Sequence, residues 1–169
     1  MKESTRPEGS PVVVGVDGSP ESILALKWAN TLAPTLGATI TAVIAWHLES
    51  MYGPFASSDW DPEYTAQQVI ETALVHAFGD KPPDGIGSKI VRGQPAKVLL
   101  DLAESAQLLV LGSRGHGGFA GLLLGSVSSA CAAHATCPVL VVHTEMKQER
   151  LTSPAQGFQG GDDEPAGKA

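Results

Sequence analysis

The sequence predicts one α/β domain built on an open, five-stranded parallel sheet with helices on both faces. Three observations carry that prediction. Short apolar runs such as Val12-Val13-Val14 and Leu108-Leu109-Val110-Leu111 recur along the chain, as expected of strands buried on both faces. Segments with helical spacing separate them, so successive strands must be joined by crossovers rather than hairpins. The chain has 169 residues, 43% of them hydrophobic, which is enough for one full core.

The first strand covers Val12–Val16. Ser19-Pro20 then supplies an N-cap and a first-turn proline for a helix to about Leu36, with Gly37 as its stop. Residues 38–46 (ATITAVIAW) form the second strand, and residues 47–60, rich in Gly, Pro, Ser and Asp, form a long loop. Asp61-Pro62 opens a second helix to about Phe78, whose Val69, Ile70, Ala73, Leu74 and Ala77 recur at helical spacing. The third strand is Ile86–Val91. A third helix starts at Pro95 and runs to about Ser105, followed by the fourth strand, 107–111. The helix after Gly125 ends near Ala135, and Pro138–Val142 is the fifth strand.

Residues 1–10 mix Lys, Glu, Arg, Pro and Gly and read as a flexible leader. Residues 146–169 are polar and Gly/Pro-rich around an isolated Phe158. They cannot bury enough apolar surface to offset their ordering entropy, and are predicted to be a disordered tail. The ordered domain is therefore 11–145. The formal charge of −7 argues against a nucleic-acid partner or an acidic membrane surface. No apolar h-region opens the chain and no run of about 18 apolar residues occurs, so the expectation is a cytoplasmic protein without membrane attachment. Cys131 and Cys137 lack zinc-ligand spacing and are expected to be buried packing residues.

The most informative segment follows the fourth strand. Gly112-Ser113-Arg114-Gly115 precedes Gly125-Ser126 in the pattern G-x2-G-x9-G-S, with Gly117, Gly118 and Gly121 between. A glycine at a strand end lets the backbone approach a ligand with no Cβ in the way. Ser126 is expected to cap the next helix, whose unpaired N–H groups would form an anion site suited to phosphate. A Cβ at Gly115 or Gly125 is expected to enter the phosphate space or to forbid the backbone angles there. The body of the domain, 11–143, carries six Lys or Arg against eleven Asp or Glu. Phosphate binding would then rest on backbone amides, helix dipoles, a metal ion and one cation, with Arg114 the candidate.

Asp17 closes the first strand at the same sheet edge. It can form an Asx turn ahead of Ser19-Pro20, accept hydrogen bonds from ribose hydroxyls, or do both. Neither the P-loop pattern nor G-x-G-x-x-G after the first strand is present. His116 reads as a solvent-exposed loop residue, and the five histidines show no metal-binding spacing. Ser113 has no triad-like partner visible in the sequence, and no catalytic residue is assigned.

Together Val16-Asp17-Gly18-Ser19, Val91-Arg92-Gly93-Gln94-Pro95-Ala96, Leu111–Gly115, Gly125-Ser126-Val127 and Cys137–Val142 resemble the universal stress protein family over about 11–143. The G-x2-G-x9-G-[ST] pattern marks that family's ATP-binding branch. One departure is Gln107, where the family usually carries an acidic residue. The resemblance implies a Rossmann-like, adenine nucleotide alpha hydrolase-like fold, usually dimeric. It implies that Asp17 contacts ribose, that Gly15 and Val16 flank adenine, and that backbone near Ala45 meets the adenine edge. Gly112, Gly115, Gly125, Ser126 and Val127 would wrap the phosphates, with Ser113 and Arg114 in the same loop.

The ligand expected is ATP or a related adenine nucleotide, with Mg²⁺ bound mainly through its phosphates and no protein metal site. A binding and sensing module in the stress response, acting through an unknown protein partner, is favoured over an enzyme. The alternatives are a slow ATPase or phosphotransferase, with at most weak ATP hydrolysis, and a cyclic-AMP-binding member of the same fold. By chain order the fifth strand lies at a sheet edge, and its uncharged Val139–Val142 segment is expected to pair with a second copy in a homodimer.

Overall fold

A computed structural model describes residues 7, 9–47, 61–115 and 123–144 of the chain. The leader before Pro7, most of the loop at 47–60, the glycines at 117, 118 and 121, His116 and the tail from 145 lie outside the described residues. Within them the order is β1 (Val12–Gly15), α1 (Pro20–Leu32), β2 (Ile40–Trp46), α2 (Pro62–Phe78), β3 (Ile86–Arg92), α3 (Pro95–Ala103), β4 (Leu108–Gly112), α4 (Ser126–His134) and β5 (Val139–Val142). The expected alternation is present, with small shifts at element ends.

The five strands form one sheet in the order β3-β2-β1-β4-β5, and every neighbouring pair is parallel. The chain therefore builds outward from β1 to β3, then crosses back and continues from β4 to β5. That reversal puts the topological switch between the carboxyl ends of β1 and β4. β5 lies at one edge of the sheet, as its position in the chain predicts.

Alternation along the strands divides the core into two layers. Val12 and Val14 join Leu26 of α1 and Ile70 of α2 on one face. Val13, Leu109 and Leu111 join Val98 and Leu99 of α3 and Cys131 of α4 on the other. Leu26, Ile70 and Leu109 are fully buried, each contributing about 1.5–3 kcal/mol of transfer free energy. Cys131 and Cys137 lie buried in the second layer. Burial, and then its neighbour Cys137, pushes the Cys131 thiol up to about 11.

One helix end departs from the sequence expectation for an identifiable reason. α1 stops at Leu32 instead of Leu36, because Pro34 has no N–H to continue the ladder and its ring crowds the preceding turn. A looser turn follows, with the Leu36 amide on the Leu32 carbonyl at 3.2 Å, and closes at Gly37 with φ +59°. Gln107 serves the opposite edge from the switch point. Its amide N–H bonds the Pro11 carbonyl at 2.9 Å and its side chain reaches the Leu36 carbonyl at 3.3 Å.

Candidate functional site

β1 delivers Gly15, Val16 and Asp17 to the switch point. The Val16 amide still bonds the Val43 carbonyl at 2.8 Å, so the backbone remains sheet-like one residue beyond the strand. The chain then turns on Asp17, whose Oδ1 accepts from the Ser19 amide at 3.0 Å and from Ser19 Oγ at 2.6 Å. Ser19 Oγ in turn accepts from the Ser22 amide at 3.2 Å and caps α1. The Asx-turn reading of Asp17 therefore holds. Its other oxygen, Oδ2, faces Gly115 across the crevice so closely that a Cβ on residue 115 would collide with it.

β4 delivers the other wall. At Gly112 a Cβ would lie 2.6 Å from Glu21 Cβ and 2.9 Å from the Glu21 carbonyl carbon, because the first turn of α1 packs directly on the strand end. Ser113 is 1% exposed and does not line the crevice. Its backbone does the structural work: the Ser113 amide bonds the Val142 carbonyl of β5 at 2.7 Å, and its own carbonyl accepts from the Gly125 amide at 2.7 Å.

The start of α4 corrects the sequence reading. Gly125, not Ser126, occupies the N-cap position, and its carbonyl takes the first intrahelical bond, from Ser129 N at 2.9 Å. Ser126 is the first helical residue, and no side chain caps this helix. Gly125 is also less constrained than expected. Its φ of −73° and ψ of 167° suit any residue, and an added Cβ would meet Ser113 O at an ordinary 3.6 Å. Of the two glycines singled out, Gly115 is the one whose hydrogen is required by a neighbour.

These segments enclose a cavity of about 250 Å³. Gly15, Val16, Asp17, Ala45, Gly112, Arg114, Gly115, Gly125, Ser126 and Val127 line it, so ten of the expected residues meet at one place and Ser113 alone does not. Ser22, Val43, Pro95, Leu99, Leu111 and Ser128 complete the wall. Some of these were within reach of the sequence. Val43 and Ala45 are two apart on one strand face, and Pro95 and Leu99 are four apart on one helix face. Ser22 and Ser128 carry no comparable signal.

Asp17 and Arg114 are the charged residues in this lining. Among the described residues, no group of three or more His, Cys, Asp or Glu side chains could hold a metal ion, and no helix is long and apolar enough to cross a membrane. The cavity thus combines apolar side chains of β2 and α3 with one carboxylate, one guanidinium and the first residues of α4. Such a mixture suits a ligand with an apolar part, hydroxyls and an anionic group.

Comparison with known proteins places the chain in a family. The profile of the universal stress protein family matches residues 10–143. The chain belongs to the universal stress protein family. A universal stress protein of Mycobacterium tuberculosis is 40% identical over 144 residues, covering 80% of this chain and 44% of the relative. This universal stress protein therefore spans less than half the length of that relative. Among solved structures, a universal stress protein UspA from Lactobacillus plantarum shares the fold with a TM-score of 0.62 at 21% identity, covering 81% of this chain and 99% of that one. A universal stress protein solved in complex with cAMP is 29% identical, with a TM-score of 0.59, covering 82% of this chain and all of that one.

Proposed function

We propose that this universal stress protein binds ATP as a cytoplasmic sensing module, with Mg²⁺ carried mainly by the phosphates. The observation that carries the reading is the meeting of Asp17 with Gly115 beside the uncapped start of α4. Adenine would occupy the slot formed by Val16, Val43, Ala45 and Leu99. Asp17 would accept from ribose hydroxyls, and the N–H groups of Ser126 and Val127 would meet the phosphates, with Arg114 adding positive charge. A helix N-terminus and one guanidinium leave most of a triphosphate's charge uncompensated on an acidic protein, which is the physical reason for Mg²⁺. The glycine loop's sequence carries no Walker-type lysine to neutralise the β- and γ-phosphates, which favours binding that acts through a partner protein over hydrolysis.

Native mass spectrometry of the purified full chain, followed by calorimetric titration with ATP and cAMP with and without Mg²⁺, tests this. Binding of ATP that tightens with Mg²⁺ is the expected outcome. Absence of heat and of any thermal shift at millimolar nucleotide would end the proposal. Tighter binding of cAMP than of ATP would transfer the site to the ligand named for the 29% identical relative.

The same proposal includes a homodimer through β5. An apolar, uncharged edge strand is an association hazard unless it is covered or paired, and Val139–Val142 lies at such an edge. Pairing about a two-fold axis would satisfy its outer backbone groups. Light scattering should give twice the chain mass, reduced to one by Val141→Lys. A monomeric wild type at micromolar concentration, or a dimer indifferent to Val141→Lys, overturns it.

A further inference from the structure

We propose that Ser128 is a positioning residue, whose hydroxyl clasps the two glycine arms of the cavity together and aims the first turn of α4. Ser128 is the third residue of α4 and is 5% exposed. A serine in a first turn commonly bonds within its own helix end. This one instead donates to the Gly112 carbonyl at 2.7 Å, sixteen residues earlier in the chain and on the last residue of β4.

That bond has a parallel partner. The Gly125 amide donates to the Ser113 carbonyl at 2.7 Å, so two consecutive carbonyls at the end of β4 accept from two groups at the start of α4. The clasp closes the base of the loop at 113–125, whatever path the chain takes between. The β4 arm is itself anchored, since the Ser113 amide bonds Val142 of β5. With Gly112 and Ser113 fixed in the sheet, the two bonds set where the N–H groups of Ser126 and Val127 stand relative to Gly115. Removing the hydroxyl leaves the Gly112 carbonyl without that donor and the helix start held by one bond instead of two.

The structural part of this inference stands without a ligand, whereas its effect on affinity rests on the nucleotide reading above. Amide hydrogen exchange on the apo full chain reads the structural part. Ser128→Ala should speed exchange at the Gly125 amide by about tenfold, leaving Val14 and Val110 in the sheet unchanged, and Ser128→Thr should restore protection. Unchanged protection of Gly125 in Ser128→Ala overturns the clasp.

Titration with ATP and with adenosine reads the functional part. Loss of one buried hydrogen bond that aligns the donors predicts ATP affinity about five- to tenfold weaker in Ser128→Ala. Adenosine affinity should change less than about twofold, and Ser128→Thr should recover ATP binding. Equal losses for ATP and adenosine, or no recovery with threonine, would show that Ser128 does not act by aiming the phosphate donors. A wild type that binds neither compound refutes the nucleotide reading instead, and the exchange result then decides the clasp alone.

Discussion

The two faces of the sheet begin their helices differently. On one face, α1 and α2 start on side-chain caps: Ser19 accepts from the Ser22 amide, and Asp61 accepts from the amides of Glu63 and Tyr64 at 3.0 and 3.2 Å. Each also carries an acid in its first turn, Glu21 or Glu63, where it complements the helix dipole. On the other face, α3 and α4 start without a capping side chain and without a first-turn acid. These are the helices whose first residues, Pro95 and Ser126, line the cavity. Helix donors on the first face are satisfied within the protein and contribute stability. On the second no capping side chain takes them, and the cavity beside them is lined by one carboxylate, Asp17, and one guanidinium, Arg114.

Filling the crevice should have the largest effect. Gly115→Val puts a branched side chain where Asp17 Oδ2 lies, and should weaken ATP binding by about a hundredfold or more, since both groups are displaced from the ligand's path. Residue 115 is exposed at a loop edge, so circular dichroism and the melting temperature should stay close to wild type. Calorimetry showing normal affinity in a folded Gly115→Val protein would remove Gly115 from the site.

Converting the second face into the first is the sharper perturbation. Gly125→Asp fits the backbone angles and supplies the cap that α4 lacks, together with an acid at the dipole's positive end. It should raise stability by a few tenths of a kcal/mol, the usual difference between glycine and aspartate caps. ATP affinity should fall by about tenfold to a hundredfold, through lost donors and added repulsion. A variant that gains stability yet binds ATP as well as wild type would break the link between the missing cap and the ligand.

Asp17→Ala should weaken adenosine and ATP alike, by about tenfold, because a carboxylate hydrogen bond to ribose is common to both. A loss confined to ATP would instead relate Asp17 to the phosphates or their metal ion. The smallest change is expected on the capped face. Asp61→Ala should lower stability by about 1 kcal/mol in chemical denaturation and leave nucleotide affinity unchanged.

Much of this organisation was legible in the residues. Asp61-Pro62 and Ser19-Pro20 announce helix starts because a short polar acceptor followed by a ring with preset φ is a local device, and both helices begin where they were expected. The glycine spacing after β4 was equally local, and ten of the residues that it, Asp17 and the family resemblance nominated converge on one cavity. Ser126 was misread by one position because an extended Gly125 takes the N-cap position with no side chain to mark it, and the serine beside it looks the better cap. Ser113 looks available from its place inside a glycine loop, whereas it is buried and its backbone bonds to β5 and α4.

By itself, then, the sequence determined the kinds of element, their order, the edge position of β5 and the glycine segments that line the cavity. Each depends on interactions within a few residues, or on periodicity that repeats within one element. Tertiary structure alone decided that Gly115 meets Asp17, that Glu21 packs on Gly112, and that Ser128 reaches back to the end of β4. Those approaches depend on the register between β1 and β4 and on the seat of α4 against the sheet. They are set by the packing of the whole core, with partners as far apart in the chain as Asp17 and Gly115, and no local pattern encodes them.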